Sequence, residues 1–243
     1  EDPASVEGHL GVAASLARLG DYRSAAAAYD RLLGIEPSND EWYRLAASMR
    51  LALGEHASAR ALLSEALRLA PSSPGTHLLL ASLLRARGDL AGAQRELNTA
   101  RGLGEDGLEY HLEMAACSLA IRDVSSSFEH ARIAAALDGS DPRAQYIQGC
   151  ALFRLKRYRA AHGAFARAVA HPRLRRQALH GMGSALWRMR SYNGAAVAFR
   201  AAVAESPDWL PAHTGLCTSL LRARKWRECL QAVRAALNTV TKG

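Results

Sequence analysis

The 243-residue sequence has no run of 18 apolar residues, so no segment has the length and apolarity of a membrane-spanning helix. Aromatic residues make up only 6%, there are 8 prolines, and Lys supplies 3 of the 31 basic side chains. The excess of Arg over Lys points to a GC-rich genome more than to a function. Cysteine is scarce: Cys117, Cys150, Cys217 and Cys229 fall in no metal-ligating or redox spacing, which reads them as small core residues. There is no N-x-[ST] sequon, no H-E-x-x-H, no P-loop, no G-x-S-x-G and no dinucleotide fingerprint. Catalysis, a cofactor and a metal site are therefore not expected. The sequence opens at Glu1 rather than Met, which suggests a processed or excised form. The expected setting is cytoplasmic, with any targeting segment or flanking repeat lying outside the sequence.

What is abundant is Ala and Leu, within an apolar content of 49%. That composition suits helices packed at close range. The prolines that do occur betray a period. Pro37 and Pro71 are 34 residues apart, and Pro71 and Pro207 are separated by four times that distance. One frame without insertions divides the chain into seven units: 6–39, 40–73, 74–107, 108–141, 142–175, 176–209 and 210–243. The eighth place of each unit is small (Ala13, Ala47, Ala81, Ala115, Gly149, Gly183, Cys217), and so is the twentieth. Large apolar or aromatic residues such as Tyr29, Phe165 and Phe199 fill most twenty-fourth places. Each unit predicts two helical stretches of about 13 residues. Gly20, Gly54 and Gly88 stand between them in the first three units, where glycine ends a helix in the left-handed conformation.

The segments Leu19-Gly20-Asp21-Tyr22, Arg87-Gly88-Asp89-Leu90 and Ala66-Leu67-Arg68-Leu69-Ala70-Pro71 resemble the turn and repeat end of the tetratricopeptide repeat. The resemblance covers nearly the whole chain. It implies an all-α, right-handed superhelical solenoid of antiparallel helix pairs, spanning 6–243 as a single body in which neighbouring pairs complete one another's core. Cys217 and Cys229 occupy the facing small places of the last unit, with packing as their ordinary role. Two junctions depart from the pattern: Gly102, Gly104 and Gly107 close the third unit without proline, and Arg122 replaces the turn glycine ahead of Ser125-Ser126-Ser127. Either a bendable point at about 101–127 or simple sequence drift accounts for this.

Charge is divided along the chain. Residues 1–141 carry 13 Lys/Arg and 20 Asp/Glu, a net of −7, whereas residues 142–243 carry 18 against 3, a net of +15. Such a field attracts acidic segments, phosphates or anionic surfaces in a salt-dependent manner. The family resemblance implies that first helices line a groove with their second, fifth, sixth, ninth, twelfth and thirteenth places. On this chain the thirteenth place gives Arg154, Arg188 and Arg222, and the twelfth gives Phe153, Trp187 and Leu221. The second and fifth places add Arg143, Gln177, Tyr146 and His180. This basic, aromatic-lined surface suits a protein or peptide segment with acidic residues beside apolar anchors; alternatively the arginines form a solvated rim and the aromatics belong to the core. The first three units lack the Lys, Asn and Arg set of the family's carboxylate clamp. His9, His77, His111 and His213 share the fourth place and read as structural, with only His77 and His111 near enough to meet. The expected role is a protein-interaction scaffold. The alternatives are head-to-tail self-association between the acidic and basic halves, or a nucleic-acid ligand tracking the basic groove.

Overall fold

The computed structural model describes residues 6–240, with side chains as far as Leu237. All regular structure in that span is helical. The helices follow one another as pairs: α1 (Val6–Leu19) with α2 (Tyr22–Ile35), α3 (Asp40–Ala52) with α4 (His56–Leu69), and α5 (Pro74–Ala86) with α6 (Leu90–Gly102). Then come α7 (Leu108–Ala120) with α8 (Val124–Leu137), α9 (Pro142–Arg154) with α10 (Tyr158–Ala168), α11 (Pro172–Arg188) with α12 (Tyr192–Glu205), and α13 (Leu210–Arg222) with α14 (Trp226–Val240). Within each unit, turns of two or three residues make the members of a pair antiparallel. The described residues gather into two compact units, 1–117 and 118–243.

The 34-residue frame is kept with one adjustment. Helix α11 begins at Pro172, four residues ahead of its frame position, and runs for 17 residues rather than about 13, while α10 is shortened to 11. Pro172 sits in the first turn, where a preset φ favours helix initiation and a missing N–H costs nothing. That proline draws the helix start forward.

The turn inside each pair relies on one left-handed residue. Gly20, Gly54 and Gly88 have φ of 85°, 77° and 85°. In the later repeats the same conformation is held by Arg122, Lys156, Arg190 and Arg224, at φ of 67°, 61°, 62° and 58°. Arg122 therefore keeps the turn that its missing glycine put in doubt, at a backbone cost of roughly 1–2 kcal/mol. The next place normally caps the second helix. Asp21, Asp89 and Asp123 accept from the backbone N–H of Ser24, Gly92 and Ser126 at 3.1, 2.8 and 3.1 Å. In the last three repeats that place holds Arg157, Ser191 and Lys225. Neither Arg157 nor Ser191 makes a side-chain cap, and a lysine has no acceptor to offer.

Small residues at the eighth and twentieth places bring the paired helices together; Ala13, Ala47, Ala25, Ala59 and Ala93 have no exposed surface. In the 118–243 unit the closeness is greater still. The Phe165 ring lies where a Cβ on Gly149 or Gly181 would stand, and Phe199 does the same against Gly183 and Gly215. The Gly181-Met182-Gly183 run is thus two halves of two aromatic slots.

The fourth place has a different task. Tyr43 donates to the Pro37 carbonyl at 3.2 Å, His77 to that of Pro71 at 3.2 Å, and His213 to that of Pro207 at 2.7 Å. Each reaches six residues back and fastens the preceding loop to its own helix. His77 also meets Glu96 at 2.7 Å, and His111 meets Asp106 at 3.3 Å.

Candidate functional site

Within the 118–243 unit, helices α9, α11 and α13 stand side by side and frame a cavity of about 480 Å³. Its walls are Phe153, His180, Trp187 and Arg188, with Leu210, Pro211 and Thr214 on the facing helix. Its floor is Phe199, reachable only because Gly215 has no side chain. Ser184 and Thr218 add hydroxyls to the lining.

Neighbouring contacts hold the aromatic walls. Phe153 packs edge-on against Tyr158 with centroids 5.4 Å apart, and Trp187 packs on Tyr192 at 6.1 Å. The Arg188 guanidinium lies 5.0 Å from the Tyr158 ring centre, a cation–π contact that fixes its direction. His180 is wedged between Phe199 and Trp209, at 5.2 and 5.0 Å. Burial pushes the His180 imidazole below its ordinary value of 6.5, so it is neutral at pH 7 and adds no charge to the cavity. The formal positive charge in the lining is that of Arg188, which has no carboxylate partner among the described residues. The indole Nε1–H of Trp187 is buried without an acceptor.

Of the residues that the sequence singled out, Phe153, His180, Trp187 and Arg188 come together here. The others do not line the cavity. Arg154, Leu221 and Arg222 are exposed at the ends of their helices. Arg143 lies at the start of α9, paired with Asp141 at 2.7 Å. Tyr146 turns into the core against Phe165, at 5.8 Å, beside Cys150. Burial raises the Tyr146 phenol and pushes the Cys150 thiol up to about 11, which keeps both neutral. Ser184, Pro211, Thr214, Gly215 and Thr218 went unnamed at the sequence level although they occupy second, fifth, sixth and ninth places of the frame. Only Leu210 and Phe199 lie outside those places, and no sequence signal marked them as lining.

The 1–117 unit has a smaller cavity of about 400 Å³ with acidic lining from Glu105, Glu109 and Glu113, the last engaged by Arg85 at 3.0 Å. Among the described residues no three His, Cys, Asp or Glu side chains converge to hold a metal ion, and no helix is long and apolar enough to cross a membrane.

No curated protein matches the sequence. Solved structures match the fold throughout. The chain aligns over its full length with 48% of a chain in the APC/C hetero-tetramer Cut9-Hcn1, at a TM-score of 0.83 and 16% identity. It thus spans about half the length of that chain. It also aligns over 87% of its length with 98% of PilW, a type IV pilus biogenesis factor, at 0.69 and 16%. A third match, over 82% of this chain and 99% of the other, is YrrB, described as a tetratricopeptide-repeat protein with an unusual peptide-binding site, at 0.55 and 16%. At such identities the likeness shows the fold alone. Family models described as tetratricopeptide repeat match residues 13–74 and 146–208, and a second such model matches 50–117. With the period, the paired helices and the small-residue contacts all in agreement, the chain belongs to the tetratricopeptide-repeat family.

Proposed function

We propose that the chain is a non-catalytic interaction scaffold that holds an acidic, apolar-anchored segment of a partner protein in the cavity of the 118–243 unit. The observation that carries this reading is an apolar recess among Phe153, Trp187, Leu210 and Phe199, edged by an arginine with no internal carboxylate. An apolar anchor of the ligand fills the recess and an acidic side chain beside it pairs with Arg188. Arg154 and Arg222, at the same place of the flanking repeats, meet further acids along the segment. Trp187 brings an indole N–H that no protein acceptor satisfies. A nucleic-acid ligand is less well served, because Tyr146, Phe153 and Trp187 pack their rings on neighbouring aromatics rather than presenting them for stacking.

The test is a triple substitution, Arg154→Glu, Arg188→Glu and Arg222→Glu, measured by fluorescence anisotropy against a panel of acidic-apolar peptides. Charge-assisted pairs are worth about 1.5–3 kcal/mol each, so affinity should fall by about a hundredfold or more and lose most of its salt dependence. Unchanged affinity sinks the reading.

A further inference from the structure

The edge of the 118–243 unit formed by the turns inside its last three helix pairs has a composition that the turns themselves do not favour. Because these pairs are antiparallel and stacked in series, the turns α9–α10, α11–α12 and α13–α14 lie along one side of the unit, roughly 10 Å apart. At the left-handed position, where the first three repeats have glycine, they carry Lys156, Arg190 and Arg224. At the capping position Arg157 and Lys225 stand where earlier repeats have an acid. Among the described residues, of these five only Lys225 meets a carboxylate, that of Glu228 at 3.1 Å. The opposite edge is unlike it: Arg143 pairs with Asp141, Arg175 with Glu205 at 3.6 Å, and Arg176 reaches the Ser206 hydroxyl.

Large apolar side chains project from the same turns. Leu155 and Met189 directly precede Lys156 and Arg190, and are 37% and 38% exposed. Trp226, just after Lys225, is 60% exposed. Tyr158 and Tyr192 begin the second helices at the matching place and are half-buried. Basic side chains interleaved with protruding apolar ones, with Trp and Tyr close behind, are what a headgroup layer accommodates.

We infer that this edge docks the 118–243 unit onto an anionic lipid surface, with Lys156, Arg157, Arg190 and Arg224 on the phosphates and Leu155, Met189 and Trp226 entering the headgroup–acyl boundary. The apolar members favour a bilayer over a nucleic acid, because a phosphodiester backbone gives them nothing to be buried in. This surface is separate from the cavity and does not depend on what the cavity holds.

The structure supplies a variant whose folding is safe. Replacing Lys156, Arg190 and Arg224 with glycine restores the residue that the first three repeats use at this conformation and removes three charges. Protein and vesicles of phosphatidylglycerol in phosphatidylcholine, or of phosphatidylcholine alone, are co-sedimented across a salt series. The wild-type chain should partition onto the phosphatidylglycerol vesicles at low salt and not onto pure phosphatidylcholine. Each basic side chain near such a leaflet is worth roughly a factor of five in partitioning, so the triple-glycine variant should bind at least ~10-fold more weakly. Its thermal transition should be no lower than the wild type's, and its affinity for acidic peptides unaltered. Replacing Trp226 with Ser should weaken partitioning while leaving the initial salt dependence in place. Wild-type protein that ignores phosphatidylglycerol vesicles overturns the inference, as does a glycine variant that binds them equally well. Retention of single-stranded RNA in place of vesicles overturns it too.

Discussion

At Gly215 one absent side chain decides both a packing contact and a binding feature. A Cβ there would stand 2.5 Å from a Phe199 ring carbon, and the same ring lies where a Cβ on Gly183 would stand. The ring is 3% exposed, so it can give way only by losing its own packing or by shifting into the cavity. Gly215→Ala should therefore destabilise the protein by about 1–3 kcal/mol in urea unfolding, the usual cost of overpacking, and should weaken peptide binding because the cavity floor is displaced. Gly163→Ala is the control: a Cβ there meets nothing within 4 Å, and helix propensity alone predicts a neutral to stabilising effect of up to about 1 kcal/mol. The sequence marked the eighth place, Gly183 included, as small without saying what fills the slot. The occupant is the twenty-fourth-place aromatic, which lies between glycines of two successive repeats, and only stacking brings those glycines together. Tyr146, whose place the family frame assigns to the groove, packs inward for a related reason. Its place faces the groove on a straight helix, but the hollow left by Gly149 and Gly181 admits Phe165, and Tyr146 turns to pack on that ring.

Between helices, local rules and their exceptions separate cleanly. The first three repeats solve the intra-pair turn with glycine, and two of them add an aspartate cap. The fifth and seventh replace both solutions with basic residues. Left-handed backbone at a side-chain-bearing residue costs roughly 1–2 kcal/mol, part of which glycine gives back as unfolded-chain entropy. Lys156→Gly alone should thus raise stability by about 0.5–1 kcal/mol, read as a shift in urea midpoint at constant slope. A loss of stability would mean that the lysine makes contacts which outweigh its strain. The positions of these turns were legible because the period fixes them, and so were the helix pairs. The early start of α11 was readable in principle from His171-Pro172, but the regular frame argued against it. The loop anchors were harder to see. The recurrence of His77 and His213 at the fourth place was legible, but not the carbonyl six residues back that each reaches, and Tyr43 does the same work with a different residue type.

On the scale of the whole molecule the dominant feature is the division of charge, which acts on folding and on binding with opposite sign. The 118–243 unit holds 20 Lys/Arg against 7 Asp/Glu, a formal net charge of +13, and most of its few acids are committed to caps or pairs. Repeat arrays derive stability from neighbouring contacts rather than from one central core, so self-repulsion of this kind adds up repeat by repeat. Added salt screens the repulsion, which is strongly weakened once the Debye length falls to about 8 Å, comparable with the spacing between neighbouring helices. The thermal transition of the basic unit should therefore rise as sodium chloride increases from low levels to about 0.15 M, the concentration at which that screening length is reached. Over the same range acidic-peptide affinity should fall, because there the screened interaction is attractive. If both quantities moved together, the charge would not be distributed as the structure has it: either the basic side chains would already be neutralised within the fold, or the ligand would not be held by them.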